Sequence, residues 1–335
     1  MSDDVLELQV WKGDWGLPSV DPNCLAVLAY CRFSGVPVRV RKTGNTFRSP
    51  SGEFPMLKHK GITETKVAEI FSFLRKKNWG SDFELTNKQS ADVIAFSSLL
   101  EEKLLPAVLH LWWIDGKTFT DFTRPWYARI IPFPLNFYVP GRKQKDANLR
   151  VFLSKGGENV TDSEVEGKIY RDAKECLNHL SYKLGSQEFF FGKTPSSLDA
   201  LVFGYLAPIL KAPLPNNQIQ NHLKGCDNLC SLVNKILQRY FPPDPEEQEA
   251  KRKKEAEEKR RNTNSDAAEF PNKRRNMVLA AVFALTTMVG YAFMSGLIRL
   301  DFAEEKTDPQ QNQTKPPDFQ AFDQMFEDEG DNEEE

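Results

Sequence analysis

The sequence contains few of the residues that bind metals or form disulfide frameworks. Its 335 residues include four histidines, without the spacing of a metalloprotease helix, and five cysteines, an odd number with no C-x-x-C pair. We therefore expect neither a zinc site nor a set of disulfides, and a reducing compartment fits this cysteine content best. The first ten residues, MSDDVLELQV, are acidic and have no apolar core, so no secretory signal is predicted.

The net charge of −3 conceals two regions of opposite sign. Residues 299–335 hold 13 acidic and 3 basic residues, a net charge of −10, whereas residues 1–298 hold 34 acidic and 41 basic residues, a net charge of +7. The basic residues are dispersed and accompany no recognisable nucleic-acid-binding motif, so no nucleic-acid partner is expected. A mildly basic body suits an anionic membrane surface.

One long uncharged run occurs in this chain, which is 27% charged as a whole. The 22 residues from Met277 to Ile298 contain no charged side chain, and as a helix they would extend about 33 Å, enough to cross a hydrocarbon core of about 30 Å. The sequence therefore predicts a transmembrane anchor over residues 277–298. The alternative, a buried core helix, is disfavoured because the run lies between a charged linker and an acidic tail.

Basic residues flank the predicted anchor, three before it and one after it: Lys273, Arg274, Arg275 and Arg299. Because the larger positive cluster remains on the cytosolic side of a membrane, we expect the body to face the cytosol and the tail to face the intermembrane space. The moderate hydropathy and the basic flanks favour the mitochondrial outer membrane over the endoplasmic reticulum, with the peroxisome as the remaining alternative. Gly290 and Gly296, each in a small-x-x-x-small pair, would permit close contact with another helix.

The first 80 residues have the element order of a thioredoxin-like domain. Alternating side chains predict a strand over residues 5–11, and Asp21 predicts the start of a helix. A second strand is predicted over residues 36–40. A third strand follows Pro55, and an amphipathic helix comes after it. The order β-α-β, β, α predicts an α/β domain over residues 1–80.

Residues 81–241 have the periodicity of an all-helical domain. The first helices include one that is expected to end at Pro106, and apolar side chains at every third or fourth position predict a long helix over residues 164–184. Ser196 and Asp199 form the S-x-x-D pattern of a capping box before an apolar helix. The predicted organisation is a thioredoxin-like domain (1–80), an all-helical transferase-like domain (81–241), a charged linker (242–276), a transmembrane helix (277–298) and an acidic disordered tail (299–335).

A stretch rich in aromatic residues and prolines lies within residues 126–138. Because prolines break a helix, large apolar side chains are expected near the surface here. The stretch is either a docking surface for a partner subunit or for the membrane interface, or a loop packed onto the core of its own domain. The candidate contact residues are Trp126, Tyr127, Phe133, Phe137 and Tyr138.

A thioredoxin-like half followed by a helical half with an S-x-x-D pattern resembles the glutathione transferase fold. Pro55 lies where that fold places a cis-proline before its third strand. Longer strings are more specific and together resemble the metaxin family over roughly residues 5–241. These strings are WGLPSV at 15–20, LLEEKLLP at 99–106, PFPLN at 132–136, YRDAKECL at 170–177 and FFFG at 189–192.

The resemblance to metaxins implies a cytosolic body that works in the mitochondrial sorting and assembly machinery, which inserts β-barrel proteins. The implied partners are the second metaxin, the central β-barrel subunit of that machinery, outer-membrane lipid and, as a further possibility, β-barrel precursors. The predicted anchor makes the chain most similar to the first member of the family, because other members lack such a segment. No cofactor and no metal are expected.

Transferase chemistry would need a hydroxyl or thiol near the start of the first helix, where the helix dipole stabilises a thiolate. Ser19 and Cys24 are the candidates, but Asp21 would place a carboxylate at the same position. Glu64 and Thr65 occupy the place of the pair that holds the glutamyl end of glutathione, with a strand end and a helix cap as the alternative. We therefore predict no catalytic residue and a non-enzymatic scaffold; the alternatives are a membrane-anchored glutathione-dependent transferase and an organelle adaptor for cytosolic factors.

Overall fold

The computed structural model describes residues 6–155 and 162–242, together with residues 279, 281–283 and 285–288. The chain divides into two units, residues 1–255 and 256–335, and the fold described below belongs to the first. Its N-terminal half contains β1 (Leu6–Val10), α1 (Pro22–Phe33), β2 (Val38–Lys42), a 3₁₀ turn (Thr46–Arg48), β3 (Met56–His59), β4 (Ile62–Glu64) and α2 (Val67–Lys76).

The strands form one sheet in the order β2-β1-β3-β4. Strand β2 runs parallel to β1, β3 runs antiparallel to β1, and β4 runs antiparallel to β3. This topology confirms the thioredoxin-like arrangement and adds β4, which the sequence analysis missed. Lys60 and Gly61, with φ of 48° and 81°, form the two-residue turn between β3 and β4. Turns with positive φ at both central residues match the twist of a hairpin, so the chain continues the sheet before α2 begins.

The second half is helical throughout. Its elements are α3 (Asn87–Leu99), a π-helical turn (Leu100–Leu104), α4 (Leu105–Leu109), a π-helical turn (His110–Ile114), α5 (Gly116–Thr118), a π-helical turn (Phe119–Thr123), α6 (Arg124–Ile130), α7 (Leu135–Lys155), α8 (Asp162–Leu184), α9 (Ser197–Lys211), α10 (Gln218–Lys224) and α11 (Asp227–Tyr240). The predicted α/β half and all-helical half are both present, and α8 coincides closely with the helix predicted over residues 164–184.

The prediction that a helix ends at Pro106 is wrong. The chain stays helical through this residue because a π-helical turn precedes it, and the N–H of Leu105 bonds to the carbonyl of Leu100. Pro106 then lies in the first turn of α4, where a missing N–H removes no helical hydrogen bond. Two further prolines are compatible with a helix: Pro134 directly precedes α7, and Pro140 lies inside it.

Helices α1 and α9 join the two halves. Every residue from Cys24 to Cys31 in α1 is buried, and most of α9 is buried as well. At Gly204 of α9 an added Cβ would lie 2.4 Å from the carbonyl oxygen of Pro22 and 3.0 Å from the Cβ of Ala26. The helices therefore approach each other backbone to backbone, at a distance that glycine permits.

The predicted anchor lies largely outside the described residues, which include eight scattered positions of the run from 277 to 298. Its predicted boundary and contact residues (Met277, Gly290, Gly296 and Ile298) and its basic flanks (Lys273, Arg274, Arg275 and Arg299) are not among them. Within the described part of the chain, no helix has both the length and the apolar character needed to cross a bilayer.

We expect Gly204→Ala to destabilise the folded body by about 1–3 kcal/mol, because the new methyl group must displace the backbone of α1. Thermal unfolding of the full chain in mild detergent, followed by tryptophan fluorescence, measures the loss. Gly167→Ala is the matched control: Gly167 is exposed on α8 with nothing within 4 Å of an added Cβ. Alanine there should raise stability by up to about 1 kcal/mol. Equal behaviour of the two variants would contradict a glycine-dependent α1–α9 contact.

Candidate functional site

A cleft of about 720 Å³ lies between the α/β half and the helical half. One wall is formed by the start of α1, the segment before β3 and the start of α2. The other wall is formed by the helical stretch from Leu100 to Trp113, by α7 and by α9. The cleft therefore contains the N-terminus of the first helix, which is the position where a transferase would need its activated thiolate.

A carboxylate occupies the N-terminus of α1. Asp21 accepts a hydrogen bond from the Cys24 amide at 3.0 Å and so acts as the predicted helix cap. Burial raises the pKa of the Asp21 carboxyl, and the nearby Lys143 ammonium opposes that shift. Ser19 is fully buried, and its hydroxyl oxygen accepts from the Asp21 amide at 3.4 Å. The amide N–H groups of Cys24 and Asp21, which could otherwise stabilise a thiolate, therefore donate to side chains of the chain itself.

Cys24 is the second candidate nucleophile and is also unsuited to the role. Its side chain is fully buried in the core and does not line the cleft. Burial raises the pKa of the Cys24 thiol well above its usual value, and the neighbouring Asp21 carboxylate adds to the effect. The thiol therefore stays protonated, whereas nucleophilic attack requires the thiolate. Cys24 is a packing residue of α1.

The Lys143 side chain extends from α7 across the cleft, and its ammonium is held by groups from both halves. Its ammonium lies 3.1 Å from a carboxylate oxygen of Glu53, 5.6 Å from the ring centre of Trp11 and 5.8 Å from that of Trp113. The Lys143 side chain is 15% exposed. A lysine between two indole faces and a carboxylate is a cation–π site that the chain fills by itself. The burial of Lys143 could not be predicted from the sequence, because a lysine in a polar helical stretch carries no local sign of burial.

Two further cations that line the cleft have acidic neighbours on their own helices. Lys66 lies 3.0 Å from Glu69, and the Arg142 Nε lies 3.7 Å from Asp146. Both pairs are substantially exposed, so each contributes little to stability. Their effect on the cleft is to reduce the positive charge available to an anionic ligand.

The residues that the transferase resemblance assigned to glutathione are only partly brought together. The Phe54–Pro55 bond is cis and directly precedes β3, as the resemblance implied. Thr65 lines the cleft, whereas Glu64 ends β4 and is not among the lining residues. Thr65 does not cap α2 either, because the N-cap is Lys66, which makes no side-chain capping bond.

The S-x-x-D pattern forms the predicted capping box at the start of α9. The Asp199 carboxylate accepts from the Ser196 amide at 2.8 Å and from the Ser196 hydroxyl at 2.7 Å. It also accepts from the Phe190 amide at 3.0 Å, which joins the Phe189–Gly192 turn to the helix. Asp199 is fully buried, and desolvation raises its pKa to about 6, although these hydrogen bonds favour the charged form. The pattern therefore positions α9 beneath the cleft.

The structure divides the predicted contact surface within residues 126–138. Trp126 and Tyr127 are 6% and 4% exposed, and the Trp126 indole donates to Asp14 at 2.7 Å. These two residues face the core because α6 forms here, with Pro125 in its first turn, so including them in a contact surface was wrong. By contrast, the other three predicted residues are 80%, 72% and 67% exposed: Phe133, Phe137 and Tyr138.

Comparisons with known proteins agree with this geometry. Residues 24–144 match the family described as "Outer mitochondrial membrane transport complex protein", and residues 173–236 match "Glutathione S-transferase, C-terminal domain". Metaxin-1 of Macaca fascicularis is 45% identical over 300 residues, which are 89% of this chain and 92% of that protein. The chain belongs to the metaxin family. The family inferred from the short strings is thereby confirmed, and it points to the outer mitochondrial membrane transport complex.

A second relative matches a shorter part of the chain. Metaxin-3 of Danio rerio is 50% identical over 237 residues, which are 70% of this chain and 76% of that protein. The match to metaxin-1 covers more of the chain, in line with the predicted similarity to that branch. A glutathione S-transferase of Ceriporiopsis subvermispora, solved with glutathione, is 14% identical with a TM-score of 0.49, over 72% of this chain and all of that one.

We expect Lys143→Ala to lower the free energy of unfolding by about 2 kcal/mol, through loss of the cation–π contacts and of the buried stem. Because the Glu53 side chain is 54% exposed, its coupling to Lys143 in a double-mutant cycle should stay below about 1 kcal/mol. Lys168→Ala, at an exposed position of α8, is the control and should change stability by less than about 0.5 kcal/mol. A Lys143 effect as small as that of Lys168 would show that the ring contacts contribute nothing.

The Asp199 carboxyl should make stability depend on pH. Its pKa is raised from 3.8 to about 6 in the folded state, so its contribution is fully present below about pH 4 and is lost as the pH rises through 6. The stability of the unmodified chain relative to Asp199→Asn should fall by at most about 3 kcal/mol between pH 4 and pH 7. Unfolding in detergent across this range measures the difference. If the difference in stability between the two proteins stayed constant over this pH range, Asp199 would be ionised throughout in the folded state, and its pKa would not be raised.

Proposed function

We propose that this chain is a non-enzymatic subunit of the mitochondrial outer-membrane machinery that imports and assembles β-barrel proteins. Its folded body serves as a binding scaffold that faces the cytosol. The observation that carries the proposal is the state of the cleft: Asp21 caps the helix end that would hold a thiolate, and Lys143 fills the cation–π site beside it. Membership of the metaxin family supplies the location and the class of process.

The membrane attachment in this proposal depends on the sequence. The uncharged run over residues 277–298 is long enough to cross a bilayer, and its N-terminal flank is the more basic one. This orientation keeps residues 1–276 on the cytosolic side and the acidic tail in the intermembrane space. Other subunits of the machinery are the expected partners, namely a second metaxin and the central β-barrel subunit, with β-barrel precursors as further candidates.

Phe133 and Phe137 are the side chains best suited to contact a partner subunit. They lie next to each other, with ring centres 6.0 Å apart and planes at 88°, at the junction between α6 and α7. Exposed aromatic pairs of this kind are typical centres of protein interfaces. Because the Phe133–Pro134 segment joins two helices that are packed on the core, the pair is presented on a rigid support.

Purification of the full-length chain from mitochondria in a gentle detergent, with native sizing and mass spectrometry, tests the assembly. We expect a large particle that contains a second metaxin and a β-barrel protein. Phe133→Ser with Phe137→Ser should lose at least part of it, because the aromatic contact is removed. Tyr182→Ser is the control, since Tyr182 is 90% exposed on α8.

A monomer without partners would refute the assembly role. Calorimetry with glutathione and a turnover assay would then decide on the alternative, a membrane-anchored transferase. On the present proposal, we expect neither measurable binding of glutathione nor turnover. Saturable binding together with turnover that is lost in Ser19→Ala would favour the enzyme.

A further inference from the structure

Helix α7 presents a continuous exposed stripe, which we name the α7 outer face. Its six side chains follow one another at steps of four, three, four, three and one residues: Tyr138, Arg142, Lys145, Leu149, Phe152 and Leu153. Steps of three and four keep side chains on one side of a helix. The other side of α7 is buried against the body through Val139, Ala147 and Val151. At about 1.5 Å per residue, the stripe is roughly 23 Å long.

The chemistry of the α7 outer face is apolar at both ends and cationic in the middle. Tyr138 is 67% exposed at one end, and Leu149, Phe152 and Leu153 are 56%, 59% and 75% exposed at the other. The stripe itself carries two basic side chains, Arg142 and Lys145, and no acidic one, while Asp146 beside it pairs with Arg142. An amphipathic helix with exposed aromatic and aliphatic residues and an excess of basic residues is typical of attachment to a membrane surface.

A lipid surface fits this face better than a protein partner does. The centre of a protein interface is usually depleted of lysine, yet Lys145 lies at the centre of the stripe. On a membrane, by contrast, long basic side chains place their apolar stems beside the acyl chains and their charges among the headgroups. Tyrosine is also enriched at the boundary between membrane and water. Anionic headgroups would complement the positive charges of Arg142 and Lys145.

We propose that the α7 outer face rests on anionic phospholipid headgroups, so that the folded body lies against the membrane. The proposed contact would attach the chain to the membrane at a second place, in addition to the anchor. It rests on the proposed function only because it assumes that anchor. Residues 243–276 connect the body to the predicted anchor. These residues span at most about 120 Å, so contact between the face and the bilayer that holds the anchor is effectively intramolecular.

Lysine footprinting of the full-length chain tests the contact. The chain is reconstituted into three preparations: detergent micelles, vesicles of phosphatidylcholine, and vesicles that also contain phosphatidylinositol. Acetylation at Lys145 is measured by mass spectrometry relative to Lys88 and Lys168, which are exposed on α3 and α8. We expect Lys145 labelling to fall about fivefold in the anionic vesicles and much less in the neutral ones, because attraction to anionic lipid acts through each basic side chain.

A variant with serine at Leu149, Phe152 and Leu153 should regain labelling of Lys145 in anionic vesicles. Tyr182→Ser, an equally drastic change at an exposed aromatic residue of α8, should leave the protection unchanged. Flotation of the same vesicles monitors the anchor separately. A chain that floats while Lys145 labels equally in all three preparations would overturn the proposed contact but not the anchor.

Failure of the chain to float would contradict the anchor, and the contact proposed here would fall with it. Protection of Lys145 that appears only after outer-membrane proteins are added would assign the face to a protein partner instead and so overturn the proposal. Protection in anionic vesicles made with the purified chain alone, reversed by the triple serine variant, would establish it.

Discussion

The close approach of α1 and α9 is the contact on which the rest of the folded body depends. One helix comes from the α/β half and the other from the helical half, and both are buried almost completely. Gly204 lets the two backbones meet, and the Asp199 capping box fixes where α9 starts. Since residues of both helices line the cleft, this contact also fixes two of its lining elements relative to each other. Packed interiors transmit such constraints because they leave few voids into which a displaced helix can relax.

The cleft has a place in the fold like that of a transferase site, but groups of the chain itself occupy the start of α1. In an active site, the dipole at the start of α1 would stabilise a developing charge on a ligand. Here the Asp21 carboxylate receives the hydrogen bond from the Cys24 amide, and Lys143 occupies the ring faces of Trp11 and Trp113. The Asp21 carboxylate and the Lys143 ammonium therefore both have partners within the chain. The same interactions stabilise the joint between the two halves.

Local patterns gave correct predictions wherever a local rule decided the structure. The cap at Asp21, the periodicity of α8 and the S-x-x-D box depend on residues within a few positions of one another, and all are found. The proline rule failed at Pro106, because a preceding π-helical turn lets the helix continue. The rule also failed at Trp126, where a helix formed although prolines were expected to prevent one.

The sequence by itself determined the two-part fold and the family. These follow from periodicity, capping residues and short family strings, all of which can be recognised along the chain. Only the tertiary structure decided that Lys143 lies between two indole rings, that Trp126 is buried while Phe133 is exposed, and that six residues of α7 form one outer face. Each of these three features depends on which side of a helix packs against the core. That choice is made by contacts between residues far apart in sequence, such as Lys143 with Glu53 and Trp126 with Asp14.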